Sequence, residues 1–376
     1  MSLEKAKNTL KWLPTYLWQR VARRRPKARA LHLILALADH FEPAIVPGGG
    51  SQRASLAEQQ RRLERWCRTY PSVVDGYRDA DGYPFRHTYF YPAEQYDTEI
   101  VGRMADHCHA GWGEVEVQLH HGLDGPDTPE ATRQTIVEFR DRLVQHGCLS
   151  RLDGVGPARY GFVHGNWALA NSNHGRTCGV DNEMQILADT GCYGDFTLPS
   201  APNPAQVAKI NALYECALPL DQRSPHRRGL DVAAHRPVRK YPLIIQGPLL
   251  FRLSRPGQRG ISPYIENSAL TTANPPSLQR LRLWQKASIQ VAGRPDWIFI
   301  KLHCHGMDPR DEEGMLGEPA RKFLRELREV ERNGNDLRVY FASAREMVNM
   351  VLAACDGKDG SPGRYRDYRL RLIRNT

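Results

Sequence analysis

No CxxC pair occurs among the eight cysteines of this 376-residue chain (Cys67, Cys108, Cys148, Cys178, Cys192, Cys216, Cys304, Cys355). Without close cysteine pairs the expectation is free, buried thiols and no cysteine-based zinc site. A GxGxxG fingerprint, a P-loop and a GxSxG elbow are also missing, which leaves dinucleotide, nucleotide and serine-hydrolase chemistry without their usual marks. The apolar run Leu31–Ala38 is far too short to span a bilayer. No uninterrupted apolar stretch follows the basic N-terminus, so it makes a poor signal peptide. A soluble, cytoplasmic protein is the expectation.

What is present is charge at the ends. Of a net charge of +10, residues 1–30 hold nine Lys/Arg against Glu4, and residues 361–376 hold five Arg against Asp367. The long middle is close to neutral, so the basicity says little about central chemistry. "KWLPTYLWQRVARRR" sets Trp12, Tyr16 and Trp18 beside cations, a pattern suited to an interfacial helix at the inner membrane face. Solvated tails fit the same charge, and nothing resembles a specific nucleic-acid motif. The organisation read from this is a basic segment 1–30, one domain over 31–355, and a basic tail 356–376.

Strand-like and helix-like stretches alternate along the domain. "EVEVQLH" alternates with period two, whereas "DTPEATRQTIVEFRDRLVQHG" has a cap at Asp127 or Thr128, Pro129 in its first turn and Gly147 at its end. Residues 55–70 read as a helix with Leu56, Leu63 and Trp66 on one face, and Asp181 should cap the helix in "VDNEMQILADTGC". Residues 200–275 are irregular and rich in Pro and Gly. The rhythm predicts an α/β fold with mostly parallel strands, open or closed into a barrel.

Four of these strands end in metal- or proton-binding groups. "LHLILALADHFEP" ends in Asp39, His40 and Glu42; "EVEVQLHHGLD" in His120, His121 and Asp124; "YGFVHGNW" in His164, Asn166 and Trp167; "DWIFIKLHCHGMD" in His303, His305 and Asp308. The carboxyl ends of parallel strands lie on one side of the sheet, where ligands collect. One strand histidine alone is ordinarily structural. Imidazoles with carboxylates at several strand ends suit Zn²⁺ or a neighbouring divalent ion, which could activate water while a separate Asp and His move protons.

The order of these motifs resembles the polysaccharide deacetylase (NodB-like) superfamily. That resemblance implies a distorted (β/α)7-type barrel with an irregular insertion around 200–275. It also implies hydrolysis of N- or O-acyl groups on a sugar with one divalent metal, zinc the first candidate. "ALADHFEP" is similar to the family's Asp-Asp motif, with Asp39 at the base position and His40 replacing the second Asp; Asp39 could instead bind the metal. "EVQLHHGLD" aligns His120 with the family's first metal histidine and Asp124 with the second. "IFIKLHCHG" is similar to the Leu-x-His motif and makes His303 or His305 the general acid. The family's Arg-x-Pro-Tyr is absent; "GFVHGNW" stands in its place, offering His164, Asn166 and Trp167 to a carbohydrate substrate. Two other readings stay open: a glycoside hydrolase using Asp39 with Asp195 or Asp308, and a barrel that binds glycan or a partner without catalysis.

Overall fold

The computed structural model describes residues 3–23, 31–50, 52–254, 260–332 and 336–373. Its strands are β1 (Leu31–His40), β2 (His87–Pro92), β3 (Gly113–Leu119), β4 (Ser150–Leu152), β5 (Ala158–His164), β6 (Cys192–Asp195), β7 (Leu213–Cys216), β8 (Gly229–Asp231), β9 (Leu243–Ile245), β10 (Leu250–Arg252), β11 (Tyr264–Glu266), β12 (Trp297–Cys304), β13 (Leu337–Ala342) and β14 (Leu370–Leu372). The α-helices are α1 (Leu3–Leu10), α2 (Leu13–Ala22), α3 (Leu56–Val74), α4 (Thr98–His107), α5 (Pro129–Gln145), α6 (Glu183–Thr190), α7 (Leu278–Lys286), α8 (Glu312–Leu316), α9 (Glu318–Arg332) and α10 (Ala344–Cys355).

The main sheet runs β12-β1-β2-β3-β5-β6-β9-β7-β8, with β13 beside the first part of β1. Every pair from β12 to β9 is parallel; β7 pairs antiparallel with both β9 and β8. The fold is therefore α/β with a mostly parallel sheet, as the strand–helix rhythm requires. Lys301 on β12 donates its Nζ to Phe196 O, just past β6, at 2.7 Å. Those strands are far apart in the ladder, so the sheet wraps round an inner space. The outer edge of β12 is met by chain rather than by a long strand: His303 N–H donates to Ser268 O and Leu270 N–H to His303 O.

Period-two alternation sorts side chains onto two faces. Leu33, Leu35 and Leu37 of β1 pack outward in a core with Trp66 and Tyr70 of α3, Ile100 of α4 and Phe139 of α5. Ile34, Ala36 and Ala38 face inward and share a second core with Met347, Val348 and Val351 of α10. All twelve residues of α10 are buried. This helix fills the inner face near the starts of β2 and β3: Ala344 N–H donates to Thr88 Oγ1, Arg345 pairs with Glu114 at 2.7 Å, and Glu346 pairs with Arg86.

Several local expectations change. Helix α3 continues past Pro71 to Val74, because proline removes one internal hydrogen bond while Val73 and Val74 gain burial. The cap of α5 is as expected: of Asp127 and Thr128 it is Thr128, which leaves Asp127 to accept from His121. Asp181 does not cap α6; Asn182 occupies that position, and the Asp181 carboxylate accepts Asn171 Nδ2 at 2.6 Å.

The ends are less detached than their charge suggests. Trp12 and Tyr16 are buried in the inner core, and Gln19 Nε2 donates to Ile210 O, so α1 and α2 dock on the 200–275 segment. Trp18 stays exposed. Residues 24–30, with four of the basic side chains, lie outside the described residues. At the other end β14 pairs with β4, and Arg366 is buried between Asp79 and Glu346. Residues 356–373 are thus part of the fold, held by paired charge that composition counts as a tail. No described helix is long and apolar enough to cross a membrane.

Candidate functional site

The alternation of β1 places Asp39 and His40 on opposite faces. Asp39 points outward and is fully buried: His87 Nδ1–H donates to Oδ2 at 2.9 Å and Gly306 N–H to Oδ1 at 2.7 Å. Cys304, its register partner on β12, completes an outward group with His87. Asp39 therefore grips the loop after β12 and does not line the inner space. That loop carries His305.

His40 points inward. Its ring centroid lies 4.8 Å from Trp167, 4.9 Å from His305 and 6.3 Å from His303. His303 shares the inward face of β12 with Lys301, and its ring lies 5.3 Å from Trp167. One donor atom from each of His40, Glu42 and His305 falls within 4.8 Å of the others, a spacing that could hold a cation. Glu42 lies at the edge of burial and His305 is half-buried, so the group opens toward solvent on the His305 side.

Beside it runs the inward ladder of β3. Glu114 holds Arg345; Glu116 accepts Tyr193 OH and Gly161 N–H; the Gln118 amide donates to Glu42 Oε1 at 2.5 Å. His120 ends the ladder, with Nδ1 2.8 Å from Glu94 Oε1 and Nε2 3.3 Å from Glu42 Oε1. Burial opposes charge on His120, but its hydrogen bonds to Glu42 and Glu94 outweigh burial and push it up to about 10. Burial, with neighbouring cationic groups, holds His40 and His303 well below the ordinary histidine value. Burial also brings Lys301 down to about 7.

Four polar atoms round this space are buried with no hydrogen-bond partner among the described residues: His40 Nδ1, His303 Nδ1, Gln118 Oε1 and Asn166 Nδ2. Buried polar atoms normally find partners, so a cluster of four orphans marks a place for an ion, water or substrate. Trp167, half-buried, holds φ 65°, a conformation that costs a bulky residue energy and collects at functional positions.

Two expected members are elsewhere. Asp124 lies in the exposed turn Gly122–Gly125 and belongs to no metal-capable group among the described residues. His164, on the outward face of β5, is buried against His121. Together with Cys178 and Glu183 these form a second, fully buried group that the sequence reading passed over. Glu42, expected among the strand-end donors, stands two residues from His40 with matching parity, whereas Glu94 follows an aromatic strand and carries no such signal in the sequence.

No protein-family model matches the chain, and no curated protein does. Among solved structures it is similar to one described as "putative polysaccharide deacetylase from Mycobacterium smegmatis", with 14% identity over 89% of this chain and 93% of that one, and a TM-score of 0.42.

Proposed function

We propose that this chain is a metal-dependent hydrolase that removes acyl groups from a carbohydrate. The observation that carries the reading is the cluster of orphaned inward atoms beside His40, Glu42 and His305. The order of strand-end motifs supports it. His40, Glu42 and His305 would hold one divalent ion, zinc the first candidate by the imidazole–carboxylate donor set. A bound ion of this kind polarises a carbonyl and lowers the pKa of its water to about 7.

The remaining roles belong to side chains. Trp167 offers a flat, half-exposed face to a sugar ring. His303, whose Nδ1 is free, faces the same space and can pass a proton to or from the leaving group. Glu94 orients His120, which stands against Glu42 as a second proton carrier. Asp39 acts as a positioning residue, holding the Gly306 backbone and thereby His305. Asp124 and His164 have no part in this site.

The test is acetate release from acetylated amino-sugar oligomers by zinc-loaded protein. Release by wild type that falls at least about 100-fold in His40→Ala and in Glu42→Gln supports the proposal, the scale expected when a catalytic constellation is broken. New reducing ends without acetate favour glycosidic cleavage; sugar binding with neither product favours the non-catalytic barrel.

A further inference from the structure

We infer that His121, His164, Cys178 and Glu183 form a second metal site, a closed structural zinc centre that fixes the loop over residues 165–182. It stands independently of the hydrolase reading, since none of its donors faces the inner space.

The donors come from three elements. His121 follows β3, His164 ends β5, and Glu183 opens α6; Cys178 comes from the loop between the last two. Cys178, His164 and Glu183 are fully buried and His121 is nearly so. His121 Nε2 lies 3.1 Å from His164 Nε2 and 3.0 Å from Glu183 Oε1; His164 Nε2 is 3.9 Å from Glu183 Oε1, and Cys178 Sγ is 3.9 Å from Glu183 Oε2. Tetrahedral zinc with ordinary nitrogen, oxygen and sulfur bond lengths separates its ligand atoms by about 3.3–3.8 Å. The spacings among His121 Nε2, His164 Nε2 and Glu183 Oε1 bracket that range, and one ligand atom from each of the four residues, Cys178 included, lies within 4.8 Å of the others. Four protein donors with no solvent-facing position is the arrangement of a structural site.

The surroundings are built for the same purpose. Asp127 Oδ2 accepts His121 Nδ1–H at 2.9 Å and is itself held by the Thr132 hydroxyl at 2.7 Å. A carboxylate on the far nitrogen fixes the tautomer that leaves Nε2 free to bind metal. The second Glu183 oxygen accepts Ala170 N–H at 2.5 Å. Two glycines permit the close approach. A Cβ on Gly122, at φ +64°, would sit 2.3 Å from Cys178 O, and one on Gly179, at φ +95°, would sit 2.5 Å from the Pro126 ring.

A fixed anchor has work to do here. The loop places Trp167, Ala170, Asn171, His174 and Thr177 at positive φ, each a conformation that disfavours residues with a side chain. Its three-residue turn Leu169–Asn171 supplies little regular hydrogen bonding. The alternative occupant of the centre is a proton: a cationic His121 could share Nε2–H between His164 Nε2 and Glu183 Oε1. Zinc replaces that proton and the Cys178 thiol proton, and releases both to solvent. Either occupant, zinc or the shared proton, needs His164 Nε2 unprotonated and its hydrogen on Nδ1, so the 3.2 Å approach of Asn166 N–H to Nδ1 must lengthen in both.

The experiment uses full-length protein stripped of metal and reloaded with Co²⁺ or Zn²⁺. Thiolate-to-cobalt charge-transfer absorption is expected in wild type and in His40→Ala, and is expected to vanish in Cys178→Ser. Zinc X-ray absorption of the His40→Ala chain should show one sulfur at about 2.3 Å. Cobalt binding without a thiolate band in wild type, or only nitrogen and oxygen round zinc in His40→Ala, would overturn the inference even if Cys178→Ser fails to fold. Loss of acetate release in His40→Ala with the thiolate band intact would separate the two sites.

Discussion

Gly165→Ala is a one-atom perturbation of the strand-end site. Gly165 lies outside the positive-φ region, so alanine suits its backbone. Its new Cβ would stand 2.3 Å from both Cδ2 and Nε2 of His120. Non-bonded heavy atoms settle near 3.5 Å, so the ring must retreat by about 1.2 Å. The Glu94 contact at 2.8 Å and the Glu42 contact at 3.3 Å would then pass out of hydrogen-bonding range together. Bonds to charged groups contribute about 1.5–3 kcal/mol each, so the metal-free variant should lose roughly 3–6 kcal/mol at low pH. The sign follows from the raised value. His120 in the fold sits near 10, above about 6.5 in the unfolded chain. Its contribution is complete below the lower value and disappears as pH rises through the upper one. The gap between wild type and variant should therefore be widest below about pH 6.5 and close toward pH 10. Urea unfolding across that range, with the His120 ring followed by NMR, measures both quantities. A His120 titration near 10 in the variant, or a stability gap that does not narrow with pH, would refute the reasoning.

Other outcomes follow from the same geometry. Trp167→Ala should raise KM for an acetylated oligosaccharide about tenfold with a smaller change in kcat, by loss of ring stacking; steady-state kinetics on the zinc-loaded protein decides. Arg345→Met should destabilise the fold by about 3–5 kcal/mol, because Glu114 would be left charged and buried; chemical denaturation measures it. Lys301 should add stability that grows between about pH 7 and 10.5, since the unfolded chain keeps a proton that the buried amine gives up; the stability of wild type relative to Lys301→Met should therefore rise across that window in pH-resolved unfolding.

Much of this was legible in the residues. The parallel α/β pattern, the strand ends and the irregular 200–275 segment follow from alternation and turn chemistry. His40, His303 and His305 meet because strand carboxyl ends share one side. Parity decides the rest at the ends of β1 and β3. Asp39 and His40 are adjacent, so a strand must send them to opposite faces, and the same rule separates His120 from His121. The turn after β3 carries Asp124 outward, although its place in the motif pointed to the metal. Cys178 stands far in sequence from His121 and has no paired cysteine, so only the fold reveals the company it keeps. The inner position of α10 was equally hidden: its capping box marks a helix but not the face it fills.

The central claim is a metal at His40, Glu42 and His305. The most direct measurement is a crystal of zinc-loaded protein with an anomalous difference map at the zinc edge. The account predicts a peak among those three side chains, beneath Trp167 and beside His303. A map with no peak there, from protein that still releases acetate, would contradict it.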